Sequence, residues 1–265
     1  MVVNMKIRKL IFIFLLIFNY SFPAFKRIIS LAPNITEMVY FIGAGKNLIA
    51  NTIYCDFPED AKRLPKIGDL WNFDIEKIFE YNPDFVLASF SGNSKSQVER
   101  LENLGIKVYT LKEEKVVDIL SNIAFLGELF GIPTTDKIST LNKKILGLEK
   151  KKERKKVLLL LSIKPYYSIS TNTFIYDVLK IAGYDSVVVS KVRYPILTEE
   201  DIARLDFDLV FVSSRFKTEE RYFSQKLFDL GKHTKIYFID ENKFSRPGPR
   251  IFDFIVEISE LKLKN

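Results

Sequence analysis

An α/β fold built as two similar lobes joined by one long helix is what this sequence predicts, and three observations predict it. Short apolar, β-branched runs alternate with helix-length amphipathic stretches, the pattern of parallel βαβ units covered on both faces. The chain also matches itself near half its length. Asp74 to Ser89 lies over Thr198 to Ser213 without a gap at an offset of 124, pairing Glu76 with Glu200, Asp84 with Asp208 and Ser89 with Ser213. Lys107-Val-Tyr then matches Lys235-Ile-Tyr at an offset of 128. Between the copies, Ile138, Leu141, Ile145 and Leu148 recur at helical spacing. At 265 residues the chain has the length for two modest domains.

Taken in order, Met1 to Lys9 is short and basic, and Leu10 to Phe18 is nine unbroken apolar residues, too short to span a bilayer and the size of a signal-peptide core. Residues 1–24 are therefore expected to be a signal peptide, with Ser21 and Ala24 as small residues near the cleavage point; an uncleaved anchor is the alternative. No cysteine follows the apolar run, so lipid attachment there is chemically excluded. Residues 25–132 form the expected N-terminal lobe, with strands at Arg27 to Leu31, Leu48 to Thr52, Phe85 to Ala88 and Lys107 to Leu111. Its helices are expected at Ile35 to Ile42, Ile75 to Tyr81, Ser94 to Leu104 and Val116 to Phe130. Gly131-Ile-Pro-Thr-Thr reads as a stop and restart. Residues 133–155 are the expected linker helix, with a periodicity running from Asp136 to Lys156, about five turns. Residues 156–265 form the C-terminal lobe, with strands at Lys156 to Ser162, Ser186 to Val189, Leu209 to Ser213 and Lys235 to Ile239. Phe174 to Ile181, Glu199 to Leu205 and Pro249 to Leu261 are its expected helices, with Pro249 at the first position of the last one.

Composition narrows the function. The formal net charge is +7, but Lys6, Arg8 and Lys9 belong to the leader, and most of the remaining excess sits in Glu149 to Lys156, six bases against two acids. Such a local run reads as a solvated helix end, and no basic stripe for nucleic acid is present. Cys55 and His233 are the single residues of their types, which excludes an intrachain disulfide and a multi-cysteine metal site, and leaves little for a histidine-dependent triad. No GxGxxG, Walker A or GxSxG motif occurs, and the acidic pair Glu113-Glu114 reads as solvated surface. The chain is accordingly expected to be no enzyme, the competing possibility being an exported α/β enzyme working between the lobes.

Aromatic residues cluster where open α/β sheets bind ligands, in loops beyond strand ends. Tyr54 follows a strand, Trp71 stands in the Gly68-Asp-Leu-Trp-Asn turn, Tyr166 and Tyr167 follow Lys164-Pro165, and Tyr194 precedes Pro195. Rings from both lobes suggest an interlobe cleft for a large, flat, partly apolar ligand. Glu76 and Glu200 each follow an N-cap candidate, Asp74 and Thr198, by two residues. They favour the helix dipole, and as a matched pair they also suit a partner with two basic patches. Near the end, Asn242 offers donor and acceptor, and Arg246 either reaches a ligand or pairs with a carboxylate.

The residues that have now been named resemble a known family: the periplasmic solute-binding proteins of ABC importers with a helical backbone, and within it the cobalamin-binding group. The similarity is carried by Arg27-Ile-Ile-Ser-Leu-Ala-Pro-Asn-Ile-Thr-Glu37, Tyr54-Cys-Asp-Phe-Pro58, Asp74-Ile-Glu-Lys-Ile78, Asn82-Pro-Asp-Phe-Val86, Gln97 to Lys107 and Pro249-Arg250. The resemblance implies two Rossmann-like αβα lobes bridged by one helix, the class III periplasmic binding protein architecture, with little closure on binding. It implies a transported corrinoid, cobalamin or a relative, packed by Tyr54, Trp71, Tyr167 and Tyr194 and met by Asn34, Asn242 and Arg246. It implies docking of Glu76 and Glu200 onto an ABC permease and ATPase complex, a periplasmic location, a monomer, and no resident cofactor or metal. Tyr194 stands where the group has tryptophan, Ser89 replaces another, and Asn242 replaces an aspartate. Haem or an iron siderophore is the alternative ligand, with a tyrosine as axial iron ligand. The absence of a basic cluster in the expected cleft argues against a strongly anionic siderophore.

Overall fold

The structure, a computed structural model, describes residues 27–148 and 154–261. The leader expected over residues 1–24 lies outside the described residues, as does most of the basic run at Glu149 to Lys156.

The N-terminal lobe runs β1 (Ile28–Ser30), α1 (Pro33–Ile42), β2 (Leu48–Asn51), α2 (Glu59–Lys62), α3 (Ile75–Glu80), β3 (Phe85–Ser89), α4 (Lys95–Asn103), β4 (Val108–Leu111) and α5 (Val116–Phe130). Its strands are all parallel, in the order β2-β1-β3-β4. After α6 (Thr135–Ile145) comes the second lobe: β5 (Lys155–Ile163), β6 (Tyr166–Ser168), α7 (Phe174–Ala182), β7 (Tyr184–Ser186), β8 (Ile196–Leu197), α8 (Glu199–Arg204), β9 (Leu209–Ser213), a 3-10 helix (Ser214–Glu219), α9 (Glu220–Asp229), β10 (Lys235–Ile239), α10 (Glu241–Phe244) and α11 (Ile251–Ser259). Here β10, β9 and β5 are parallel, β7 runs parallel to the start of β5, and β6 and β8 extend the sheet antiparallel.

The sequence repeat is a structural repeat. α3 and α8, and β3 and β9, start and stop at positions 124 apart. One reason for the conserved spacing within the chain is a shared staple. Asp84 takes the Arg27 N–H on its carboxylate at 3.1 Å and donates its own N–H to the Arg27 carbonyl at 2.8 Å; Asp208 does the same with Lys156, at 2.7 and 2.9 Å. Each aspartate thus fastens the start of the strand that follows it, β3 or β9, to the start of the neighbouring strand, β1 or β5.

Strand alternation sends side chains to two faces. Phe85 and Leu87, with Leu209 and Phe211, enter one core together with α1, α5, α7 and α11, and this core runs from one lobe into the other. Val86 and Ala88 pack outward against Ile78 of α3 and Leu101 of α4, while Val210 and Val212 pack outward against Ile202 of α8 and Phe223 of α9. At about 1.5–3 kcal/mol for each large side chain buried, the shared layer resists separation of the lobes.

Several elements differ from expectation. The linker helix is three turns rather than five: it ends at Leu146, Gly147 follows at φ +89°, and Lys155 and Lys156 are strand. A left-handed residue stops a helix whatever the apolar periodicity beyond it. The strand expected at Ser186 to Val189 lies two residues earlier, because Tyr184 and Ser186 face inward opposite Lys155 and Val157 while Val189 is open to solvent. The last helix begins at Ile251 with Arg250 as its cap, so Pro249 lies in the preceding turn. α2, α9, α10 and the strands β6 and β8 are additions to the expected elements. β6 and β8 are too short to carry a periodic signal, and they exist through pairing with β5 and with each other.

Candidate functional site

A cleft lies between the lobes, as two adjoining compartments. The larger one, a cavity of about 650 Å³, is lined by Asn34, Tyr54, Trp71, Tyr194, Asn242 and Arg246 among others. The smaller one, about 410 Å³, is lined by Tyr167, Phe174, Ile175 and Glu113, and shares Arg193, Tyr194, Arg215 and Glu241 with the larger. All seven residues expected to meet a ligand therefore line one cleft, six of them in the larger compartment and Tyr167 in the smaller. The two volumes fall in the range of small-molecule sites.

Loops beyond the strand ends hold the rings. Trp71 is 56% exposed, Tyr54 43% and Tyr167 37%, which leaves large apolar surfaces open around the cavity. The Trp71 turn is held by Asp69, whose Oδ1 accepts the N–H groups of Asn72 and Trp71 at 2.7 Å each; these two bonds hold the Asp69 carboxyl below its ordinary value. Tyr167 sits on β6 opposite Ile196, and β-strand alternation turns its neighbour Tyr166 the other way, into the outer core beside Phe223. Tyr166 is thus an anchor, not a cleft ring. Burial pushes the Tyr194 phenol above its ordinary value, so its phenolate is disfavoured.

The polar residues are less free than the rings. Asn34 is buried and its Nδ2 donates to Oε1 of Glu113 at 3.3 Å. Arg246 forms a bidentate pair with Asp56, donates to Oδ1 of Asn242 at 2.9 Å, and lies 3.5 Å from Glu37. Of the two roles open to Arg246, the structure places it on carboxylates, and those carboxylates belong to the opposite lobe. The hydrogen bond to Arg246 is the first of the causes that hold the Asp56 carboxyl low.

Two readings of the sequence are corrected here. Glu113 is not solvated surface: it is 1% exposed, and burial, opposed by bonds from Ser89 and Asn34, pushes its carboxyl up to about 7. Its neighbour Glu114 is half-buried and pairs with Lys112 at 2.7 Å. The cleft also contains a basic set, since Arg193, Arg215 and Arg246 all line the larger compartment. These arginines come from the segment before β8, the 3-10 helix and the loop after α10. No run in the sequence groups them; only the folding of separate strand ends brings them together. Arg193, Arg215, Glu113 and Glu241 are the site residues that the sequence reading missed.

Glu76 and Glu200 occupy the same first-turn position of the equivalent helices α3 and α8, both exposed, and neither lines the cleft. The expected caps are in place: Asp74 accepts the Lys77 N–H, and Thr198 forms a reciprocal capping box with Asp201.

Comparison with known proteins agrees with this architecture. An ABC transporter substrate-binding lipoprotein of Bacillus subtilis, itself described as uncharacterised, is 25% identical over 89% of this chain and 79% of its own length. A vitamin B12-binding protein of Vibrio vulnificus is 27% identical over 93% of this chain and 94% of its own. Among solved structures, the periplasmic vitamin B12-binding protein of Vibrio cholerae superposes with a TM-score of 0.79 at 22% identity, covering 91% of this chain and 99% of that one. A periplasmic haem-binding protein of Pseudomonas aeruginosa follows the same fold with a TM-score of 0.74 at 20% identity, over 88% and 91%. The sequence model for periplasmic binding proteins matches residues 28–238, and the chain belongs to that family, as a substrate-binding protein of the ABC transporter type.

Proposed function

We propose that the protein is an exported, non-catalytic carrier that captures a corrinoid in the interlobe cleft and delivers it to an ABC permease and its ATPase. The observation that carries the reading is the display of Trp71, Tyr54 and Tyr167 as open rings around one cavity walled by both lobes. Such surfaces gain most when a large flat ligand covers them, and a pre-formed cleft limits the entropy lost on binding. The relative named for vitamin B12 binding supports the ligand class. In this reading residues 1–24 direct export to the periplasm, residues 25–132 and 156–265 are the lobes, and residues 133–155 connect them. The chain works as a monomer, with Glu76 and Glu200 as the paired contacts for the permease.

A second reading, haem or an anionic iron chelate, is favoured by Arg193, Arg215 and Arg246 in the cleft wall. Its iron ligand would come from Tyr54 or Tyr167 rather than Tyr194, whose burial opposes the phenolate.

The test is a visible spectrum of the protein mixed with cyanocobalamin, dicyanocobinamide or haemin and then desalted. Retained corrinoid colour is expected. Retention of haemin alone selects the second reading, and turnover of a cleft-bound substrate by pure protein overturns the non-catalytic assignment.

A further inference from the structure

The cleft has a duplicated floor. Ser89 ends β3 and Glu113 follows β4; Ser213 ends β9 and Glu241 follows β10; the serines lie 124 apart and the glutamates 128, the same two offsets that relate the sequence copies. In each lobe the serine hydroxyl donates to the glutamate, Ser89 to Oε1 of Glu113 and Ser213 to Oε2 of Glu241 at 2.8 Å.

The copies differ in what completes them. Glu241 has a cation, Nε of Arg215 at 3.1 Å. Glu113 has no ion pair among the described residues; besides Ser89 it is met by the neutral Asn34 amide, which donates to the same Oε1, and by the Phe90 backbone N–H. With Oε1 accepting from both Ser89 and Asn34, the proton of the neutral acid belongs on Oε2, and Oε2 is buried with no hydrogen-bond partner. Buried polar atoms without partners are rare, and each calls for an explanation. A second such atom belongs to the same cavity wall: Nε of Arg193 is buried and unpartnered. The Arg193 backbone is pinned, since its carbonyl accepts the Ser170 N–H at 2.9 Å and the next-but-one carbonyl, Pro195, accepts the Ser168 N–H at 2.9 Å. Glu113 and Arg193, one from each lobe, thus both line the smaller compartment, each with a buried polar atom that has no partner among the described residues.

We propose that Glu113, as its neutral acid, and the guanidinium of Arg193 form a subsite for one oxygen acid on the rim of the ligand, a carboxylate or a phosphodiester. The inference rests on the reading of the cleft as a macrocycle site. Hydrogen bonds from both groups to an anion are charge-assisted. An ionised Glu113 would instead oppose the anion with its own charge across a dry wall.

The surroundings favour the neutral acid below pH 7. Burial sets its carboxyl at about 7, and Asp118 of α5 adds to the rise. From α1, Glu37 is held by Arg250 and Arg246; Glu114 is held by Lys112; Asp177 of α7 accepts the Val116 N–H; and Arg215 is committed to Glu241. An anionic ligand bound above pH 7 must therefore bring a proton with it, and its affinity falls with rising pH, approaching about tenfold per pH unit well beyond that point.

Spectral titration between pH 6 and pH 8.5 with three probes tests the subsite. Cyanocobalamin carries a phosphodiester, dicyanocobinamide has the same ring with neutral arms and no phosphodiester, and haemin carries two carboxylates. In the natural protein, affinity for cyanocobalamin or haemin is expected to drop about fivefold from pH 7 to pH 8 while dicyanocobinamide stays level. Glu113→Gln keeps a donor without a titrating proton, so the drop vanishes. Arg193→Gln weakens the anionic probes by tenfold or more and dicyanocobinamide by less than about threefold. Which anionic probe shows the effect distinguishes phosphodiester from carboxylate. A pH response identical in the natural protein and Glu113→Gln, equal losses for all probes in Arg193→Gln, or retention of dicyanocobinamide alone overturns the subsite while the macrocycle reading stands. Failure to retain any of the three overturns both.

Discussion

Glu113 and Trp71 mark the two ways a residue serves this cleft, one by being hidden and one by being left out. A carboxyl raised from 4.5 to about 7 holds its proton in the folded state after the unfolded state has released it. Its contribution to stability is therefore complete below the unfolded value and is lost as pH rises through about 7. The loss is on the order of 3 kcal/mol at most across that window. Glu113→Gln is expected to flatten this slope, read as a smaller difference between urea midpoints at pH 5 and pH 8; an unchanged slope would mean that another group sets it. Trp71 contributes little to the fold, being 56% exposed, and its value lies in ligand contact. Trp71→Ala should cost about 2 kcal/mol of binding, roughly thirtyfold in dissociation constant, with the thermal midpoint within a degree or two of the natural protein.

Among the elements, α3 and α8 are short helices that stand at equivalent places in the two lobes and depend on their caps. Six residues give few internal hydrogen bonds, so the side-chain acceptor at each start counts for much of the helix. Thr198→Ala removes the Asp201 N–H acceptor and one half of the capping box, with an expected cost of about 1 kcal/mol in denaturant unfolding. Because Glu200 lies two residues into α8, fraying there also loosens the charge proposed to meet the permease. α6 shows the opposite balance: its apolar face buries Leu141 in the shared core, yet the chain leaves the helix by Gly147 before the periodic signal ends.

The whole molecule is tied across the cleft by charge as well as by the shared core. Glu37 of α1, its side chain 2% exposed, takes Nε of Arg250 at 2.8 Å and Nη2 at 2.5 Å, with Arg246 beside it, and Arg250 also stacks on Phe57 at 4.3 Å. Both arginines come from the second lobe and their partners from the first. Removing the carboxylate strands Arg250, while Arg246 keeps Asp56, so Glu37→Gln is expected to cost about 3 kcal/mol and lower the thermal midpoint by on the order of 10 °C. A loss near zero would show that the lobes are held by the apolar layer alone. At the same scale, Glu76→Ala combined with Glu200→Ala should leave ligand retention intact and impair uptake in cells that depend on this carrier; normal uptake would remove the docking role.

By itself the sequence determined the α/β class, the two lobes and their repeat, because strand burial on both faces and N-caps are short-range patterns written in adjacent residues; the repeat matched Asp84 with Asp208, but their bonds to Arg27 and Lys156 came only from the fold. It also located the cleft rings, since Tyr54, Trp71, Tyr167 and Tyr194 stand beside strand ends and turn residues that are legible locally. Tertiary structure decided the electrostatics. Arg193, Arg215 and Arg246 meet only when separate strand ends converge, and Glu113 is buried only because β4, α1 and the second lobe close over it. Charge state and ion pairing depend on distances between residues far apart in the chain, and periodicity carries no information about those distances.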